Sequence, residues 1–237
     1  GLCLRGTDNG VSGGLSFLVL FCPILVRPSP VQCAALFAQW QLVHPLHMPA
    51  MTHNSPSPKA ALLVIDVQQS FMHMPFWKLG NTGPFQQALL RLDAGCRTAQ
   101  VPVVHIYHEG QTGPFHSDSG FVKPLDWLPG DPAVTLTKHT HNAFTDTGLD
   151  LWLRRHGVQR LIICGIRTEQ CCETTARVGS DLGYAVDFVS EATLTFPMTH
   201  AGTGQTFSAQ DITTRTELVL ADRFARIVNV DTCLSSL

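Results

Sequence analysis

Six short runs of apolar, mostly β-branched residues recur along the chain from residue 61 onward. They are ALLVIDV (61–67), VPVVHIY (101–107), AVTLT (133–137), QRLIICG (159–165), YAVDFV (184–189) and ARIVNV (225–230). Several runs are apolar throughout rather than alternating, which is typical of strands buried on both faces of a parallel sheet. This feature restricts the chain to folds in which both faces of a sheet are covered.

Helix-like segments separate the apolar runs. Three of them cover residues 84–100, 149–157 and 168–183, the last beginning at Thr168, a favourable N-cap. The alternation predicts a three-layer α/β/α, Rossmann-like fold with a central six-stranded, mainly parallel sheet. We expect residues 200–224 to be helical in part, with an irregular start that forms a lid or a subunit contact.

Residues 1–57 differ in composition from the rest of the chain. They carry three charged residues, and their longest apolar stretch, Leu15–Val26, is too short to span a bilayer and contains Pro23. We expect these residues to be a poorly structured leader that is either non-native or the result of a misassigned start. Met51 would then be the natural N-terminus. A signal peptide is the alternative. Residues 58–237 are expected to form one domain.

The cysteine pattern and the charge exclude several classes of protein. Residues 58–237 hold five of the eight cysteines, an odd number, and no C-x-x-C pair. This argues against a disulfide framework and a structural zinc site. The net charge of −2, without a basic cluster, argues against a nucleic-acid partner. We expect a cytoplasmic protein with no membrane partner, no cofactor and no metal.

Three reactive side chains follow strands of the predicted sheet. Asp66 ends the first strand, Lys138 follows the third, and Cys171 lies just past the fourth. Ligands bind at the carboxyl ends of parallel strands, so these side chains are expected at one edge of the sheet. Taken alone, Asp66 is typical of a turn former, Lys138 of a solvated loop residue and Cys171 of a core thiol. Together, their charges complement each other around one thiol.

A thiol in this setting can attack an amide carbonyl if it is activated. Its ordinary pKa is about 8.5, so it needs a nearby ammonium or a base to react at neutral pH. Lys138 and Asp66 would fill those roles, and backbone N–H groups at a helix start can hold the oxyanion. Helical spacing does not choose between Cys171 and Cys172, because both faces are small and mostly apolar.

Three ordered motifs resemble those of the isochorismatase-like cysteine hydrolases. They read LLVIDVQQSF, KHTHNAFTDTGLDLWLRRHGV and GIRTEQCCETTAR, and the resemblance covers about residues 58–237. It implies that Cys171 is the nucleophile, Asp66 the general base and Lys138 the charge that tunes both. Cys172 takes a core-facing position that is usually valine. A dimer or tetramer of identical chains is also implied.

The resemblance also bears on the backbone and the substrate pocket. It implies a cis peptide bond between Ile166 and Arg167, and an oxyanion hole made by the N–H groups of Arg167 and Cys171. It places pocket residues after the first two strands, where Phe71, Trp77 and Tyr107 are the candidates. Arg167 is expected either to bind a substrate carboxylate or to lie over the surface.

Two differences from related branches of this family restrict the reaction that the chain is expected to catalyse. The nicotinamidase branch carries an Asp-x-His-x-x-x-His metal motif that VVHIYHEGQTGPFHSDSG lacks. Isochorismatases proper lack the cysteine, so Cys171 favours C–N hydrolysis of a small amide or ureido compound through a thioester. Two alternatives remain. One is hydrolysis of a non-amide bond with Asp66 as the acid, and the other is a redox-responsive pair of thiols, Cys171 and Cys172.

Overall fold

The computed structural model describes residues 59–237, so the expectation of a leader at 1–57 lies outside the described residues. In chain order the elements are β1 (Ala60–Ile65), α1 (Thr82–Thr98), β2 (Val103–His108), β3 (Val134–Lys138), α2 (Leu149–Arg155), β4 (Arg160–Ile166), α3 (Glu173–Asp181), β5 (Ala185–Leu194), β6 (Met198–Thr199), β7 (Thr206–Phe207), α4 (Ala209–Leu220), β8 (Arg226–Val228) and α5 (Val230–Leu234). Short 3₁₀ turns cover Gln69–His73, Pro75–Leu79, Gly113–Phe115 and Ser117–Ser119, and a π-helical turn covers Thr168–Cys172.

The six predicted strands form one parallel sheet in the order β3-β2-β1-β4-β5-β8. Each face carries its own apolar core: Leu62 and Val64 of β1 pack on one side, Leu63 and Ile65 on the other. Helices α1 and α5 cover the first face, and α2, α3 and α4 cover the second. The predicted three-layer α/β/α fold is therefore confirmed, and all carboxyl ends of the strands meet at one edge.

Two segments differ in detail from the sequence expectation. The predicted helix 168–183 begins as a π-helical turn and becomes α-helical only at Glu173. The start of 200–224 belongs to an antiparallel hairpin of β6 and β7, and α4 then begins at a capping box made by Ser208 and Asp211. Within residues 59–237, no helix has the length and apolar character needed to cross a membrane.

Gly165 allows β1 and β4 to approach at the edge where the site lies. Its φ is +128°, a conformation that favours glycine, and the ladder register shifts between Ile163 and Gly165. A Cβ at this position would lie 2.0 Å from the carbonyl oxygen of Ile65, the residue before Asp66. Any larger residue would therefore push apart the strand ends that position the candidate site.

We expect Gly165→Ala to lower the free energy of unfolding by about 3 kcal/mol or more, because the new methyl group collides with rigid backbone. Urea denaturation measures the change. Gly130→Ala is the matched control, since a Cβ there meets nothing within 4 Å, and it should change stability by less than about 0.5 kcal/mol. Equal stability of the two variants would contradict the importance of this close approach.

Candidate active site

Asp66 turns its carboxylate into the sheet edge immediately after β1. Its φ is +53°, in the left-handed region that residues other than glycine seldom adopt and that recurs at functional sites. Gln68, two residues later, binds the next strand: its amide accepts from the backbone N–H of His108 at 2.7 Å and donates to the carbonyl of His108 at 2.9 Å. These bonds tie the ends of β1 and β2 together.

Lys138, the last residue of β3, pairs with Asp66, and both side chains are buried. Its Nζ lies 2.9 Å from Asp66 Oδ2, and the two side chains are 0 % and 1 % exposed. It also donates to the carbonyl of Thr140 at 3.0 Å. Among residues 59–237, neither oxygen of Asp66 accepts a well-oriented hydrogen bond, so the contact is an ion pair.

Burial and charge shift the pKa of both partners. Burial raises the pKa of Asp66 above its usual value, and the charge of Lys138 opposes this only in part. Burial lowers the pKa of Lys138, but the negative charge of Asp66 outweighs it and leaves that pKa raised. Lys138 is therefore a permanent cation, and Asp66 is a more basic carboxylate than an exposed one.

Cys171 is the third member of the group. Its Sγ accepts a hydrogen bond from Lys138 Nζ at 3.4 Å. Burial, followed by the charge of Asp66, raises the pKa of the Cys171 thiol, although Lys138 lowers it. The resting thiol therefore keeps its proton. Cys172 differs, because its side chain is fully buried in the core of the α2–α3–α4 face and it does not line the cavity.

Two histidines complete the surroundings of the thiol. His108 Nδ1 lies 3.2 Å from Lys138 Nζ, and His141 Nδ1 lies 3.9 Å from Cys171 Sγ. Burial, together with the charge of Lys138, lowers the pKa of His108 to about 4, so its neutral ring can accept from the ammonium. The two rings are nearly parallel, at 6° and with centroids 6.3 Å apart.

The sequence analysis selected neither His108 nor His141. Their positions could have identified them as site residues, because His108 ends β2 at the same sheet edge and His141 follows Lys138 by three residues. In the described part of the chain, no group of three or more His, Cys, Asp or Glu side chains is arranged to hold a metal ion. The expectation of a metal-free site stays a prediction.

A cavity of about 360 Å³ opens onto Cys171 and Asp66. Its apolar wall consists of Phe71, Met74, Phe76 and Phe115. Its polar lining includes His108, Gln111, Thr112, His141, Arg167 and Gln170. The volume suits a small molecule, and the reactive thiol lies where such a molecule would bind.

Of the four predicted pocket residues, Phe71 and Arg167 line the cavity and two do not. Tyr107 does not line it because successive strand residues point to opposite faces, so Tyr107 points away from the face of His108 and its hydroxyl contacts His105 Nδ1 at 3.1 Å. Trp77 does not line it because its ring packs against the core, with its centre 6.0 Å from that of Phe196.

Arg167 follows β4 and is held at the wall of the cavity. The peptide bond between Ile166 and Arg167 is cis, which confirms the bond that the resemblance implied. The side chain is 12 % exposed, so it does not lie over the surface. Its guanidinium carbon is 5.0 Å from the ring centre of Phe76 and 5.5 Å from that of Phe196, and Nη2 is 3.1 Å from Glu169 Oε1.

Comparisons with known proteins agree with this architecture. The isochorismatase domain family matches residues 60–217. Nicotinamidase 3 of Arabidopsis thaliana is 33 % identical over 153 residues, which cover 58 % of this chain and 74 % of that protein. A streptothricin hydrolase of Streptomyces noursei is 32 % identical over 144 residues, 57 % of this chain and 50 % of that protein. A solved hydrolase of the isochorismatase family from Chromobacterium violaceum superposes with a TM-score of 0.70 at 26 % identity, covering 80 % of this chain and 98 % of that one. The chain therefore belongs to the isochorismatase family of hydrolases.

Proposed function

We propose that the protein is a cysteine amidohydrolase that cleaves a C–N bond of a small amide or ureido compound through a thioester on Cys171. The proposal depends chiefly on one observation: a thiol, an ammonium and a carboxylate are in contact at a cavity of small-molecule size. The match to a protein named as a nicotinamidase supports it. A small-molecule substrate, a homo-oligomer and a cytoplasmic location stay predictions.

The first step joins the thiol to the substrate. Sγ of Cys171 attacks the carbonyl carbon, an S–C bond forms, and the thiol proton passes to the carboxylate of Asp66. The raised pKa of Asp66 makes it a suitable acceptor. Lys138 is already within 3.4 Å of the sulfur and stabilises the negative charge that develops there.

Breakdown of the tetrahedral intermediate releases the amine. The backbone N–H groups of Arg167 and Cys171 are the candidates to hold its oxyanion. The C–N bond breaks while Asp66 returns the proton to the nitrogen, which leaves as ammonia or an amine. A water molecule then attacks the thioester, gives a proton to Asp66 and displaces the sulfur. Asp66 finally restores the thiol proton, so protons and bonds balance over the cycle.

The two alternative functions have weaker support. A redox pair would need both thiols accessible, whereas Cys172 is fully buried and burial raises the pKa of its thiol well above the ordinary value. A non-amide hydrolase with Asp66 as the acid would leave the thiol of Cys171, which lies at the cavity 3.4 Å from Lys138 Nζ, without a role.

We expect Cys171→Ser to lower kcat/KM for amide hydrolysis by about 10³-fold or more, because serine lacks the nucleophilicity of the thiol. Ammonia release from a panel of small primary amides and ureido compounds measures it. Cys172→Val is the matched control and should keep the rate within about threefold, since an apolar residue of similar volume suits that buried position. Loss of activity in Cys172→Val but not in Cys171→Ser would contradict the assignment, and no ammonia from any compound would contradict the proposed function.

Asp66→Asn should lower turnover sharply and also lower the pKa of the Cys171 thiol. The negative charge that raises this pKa is removed, while Lys138, which lowers it, stays 3.4 Å from the sulfur. Turnover should fall by about 10²–10⁴-fold, because the general base is lost. The pH dependence of iodoacetamide alkylation measures the thiol pKa.

The control for this variant is Asp93→Asn, which changes another buried carboxylate with an arginine partner, Arg97, at 2.7 Å. Asp93 does not line the cavity, so the alkylation profile and the turnover should both match those of the wild type. Full turnover by Asp66→Asn would show that Asp66 is not the base. A higher thiol pKa in that variant would contradict the account of why the pKa of Cys171 is raised.

A further inference from the structure

The Arg167 side chain separates the candidate active site from a second groove. It lines the cavity that contains Cys171, whereas its partner Glu169 lines a neighbouring groove bordered by the β6–β7 hairpin and α4. Glu169 is held in that orientation by Thr195, whose hydroxyl donates to Oε2 at 2.6 Å. The cation therefore faces the reacting thiol's cavity, and the carboxylate faces away from it.

The guanidinium of Arg167 has hydrogen-bonding capacity that the protein does not use. It carries five N–H donors. Its Nε is buried and donates to no acceptor among the described residues. Within residues 59–237, its one ion pair joins Nη2 to Glu169 Oε1 at 3.1 Å, without the geometry of a hydrogen bond. Buried donors without acceptors are uncommon in folded proteins, and such groups call for an explanation.

Two aromatic rings pack against this guanidinium. Phe76 and Phe196 lie 5.0 and 5.5 Å from its central carbon, within the range of cation–π contacts. The rings themselves are 4.7 Å apart by their centroids. Because the fork is held in place before any ligand arrives, binding a planar anion would lose little side-chain freedom.

The cavity wall offers an anionic ligand an unused donor rather than an unpaired charge. Of the charged side chains in its lining, Asp66 pairs with Lys138 at 2.9 Å and Arg167 pairs with Glu169 at 3.1 Å. The buried Nε–H of Arg167 nevertheless has no acceptor among residues 59–237. A carboxylate matches a guanidinium fork in shape as well as charge.

We propose that Arg167 binds a carboxylate of the substrate, so that the compound cleaved at Cys171 is a small amide or ureido acid rather than a neutral amide. The cleavage part of this statement rests on the proposed function, whereas the binding part does not. Phe71, Met74 and Phe115 supply an apolar wall for the carbon atoms that join the carboxylate to the amide.

The test uses pairs of compounds that differ only in a carboxylate or a carboxamide at one end. They are malonamate and malonamide, succinamate and succinamide, and glutaramate and glutaramide, which also vary the length of the linker. Each compound is scored for protection of Cys171 against iodoacetamide and for ammonia release. For the best linker, the acid should protect at a concentration at least about tenfold lower than its diamide.

Three variants assign the preference to Arg167. Arg167→Met keeps the apolar stem and should remove the preference, and Arg167→Lys keeps the charge without the fork and should retain part of it. Arg177→Met is the matched control, because Arg177 also lies over a ring, 4.5 Å from Phe224, and pairs with Glu173 at 3.0 Å, but outside the cavity. This control should protect like the wild type.

The outcomes separate the two proposals. Acids that protect Cys171 but are not cleaved would support the anion site and count against amide hydrolysis. Diamides that are cleaved as fast as the acids would support amide hydrolysis and overturn the anion site. Equal protection by acid and diamide in the wild type would also overturn it, whether or not Arg167→Met folds.

Discussion

The site depends on a buried ion pair between Asp66 and Lys138. Both side chains are withdrawn from water, at 1 % and 0 % exposure, and either one alone would be an uncompensated buried charge. Each therefore requires the other. They reach one another because β1 and β3 end at the same edge of a parallel sheet, and because Gly165 lets β4 approach the backbone of β1 just before Asp66.

The pair also affects the protonation of the Cys171 thiol. A thiolate on Cys171 in the resting protein would place a second negative charge beside Asp66 in a buried site. The pKa of Cys171 is accordingly raised. In the proposed mechanism, the proton therefore leaves the sulfur only at the moment of attack. Lys138 cannot leave the site easily, because the neutral ring of His108 and the carbonyl of Thr140 both accept from it. This arrangement suits covalent chemistry in which charge develops only when a substrate is bound.

Sequence reasoning could predict the features that follow from strand alternation. Apolar runs predict the sheet, and strand ends predict the convergence of Asp66, Lys138 and Cys171. Loop conformation was not accessible, because the 3₁₀ turns at 69–79 decide that Phe71 and Phe76 face the cavity while Trp77 packs on the core. Helical spacing also could not choose between Cys171 and Cys172, because both faces are small and mostly apolar. The turn that holds the two residues is, in addition, π-helical rather than α-helical. The ordered motif made that choice, and the burial of Cys172 agrees with it.

The most direct measurement is the mass of the protein during turnover. A hydrolysable amide is mixed with the enzyme, the reaction is quenched in acid within milliseconds to seconds, and the intact protein and its peptides are weighed. We expect an acyl adduct, equal to the substrate less the departing amine, on the peptide that contains Cys171, and none in Cys171→Ser. Turnover without any adduct on Cys171, or with an adduct on Cys172, would contradict a thioester mechanism built on the buried Asp66–Lys138 pair.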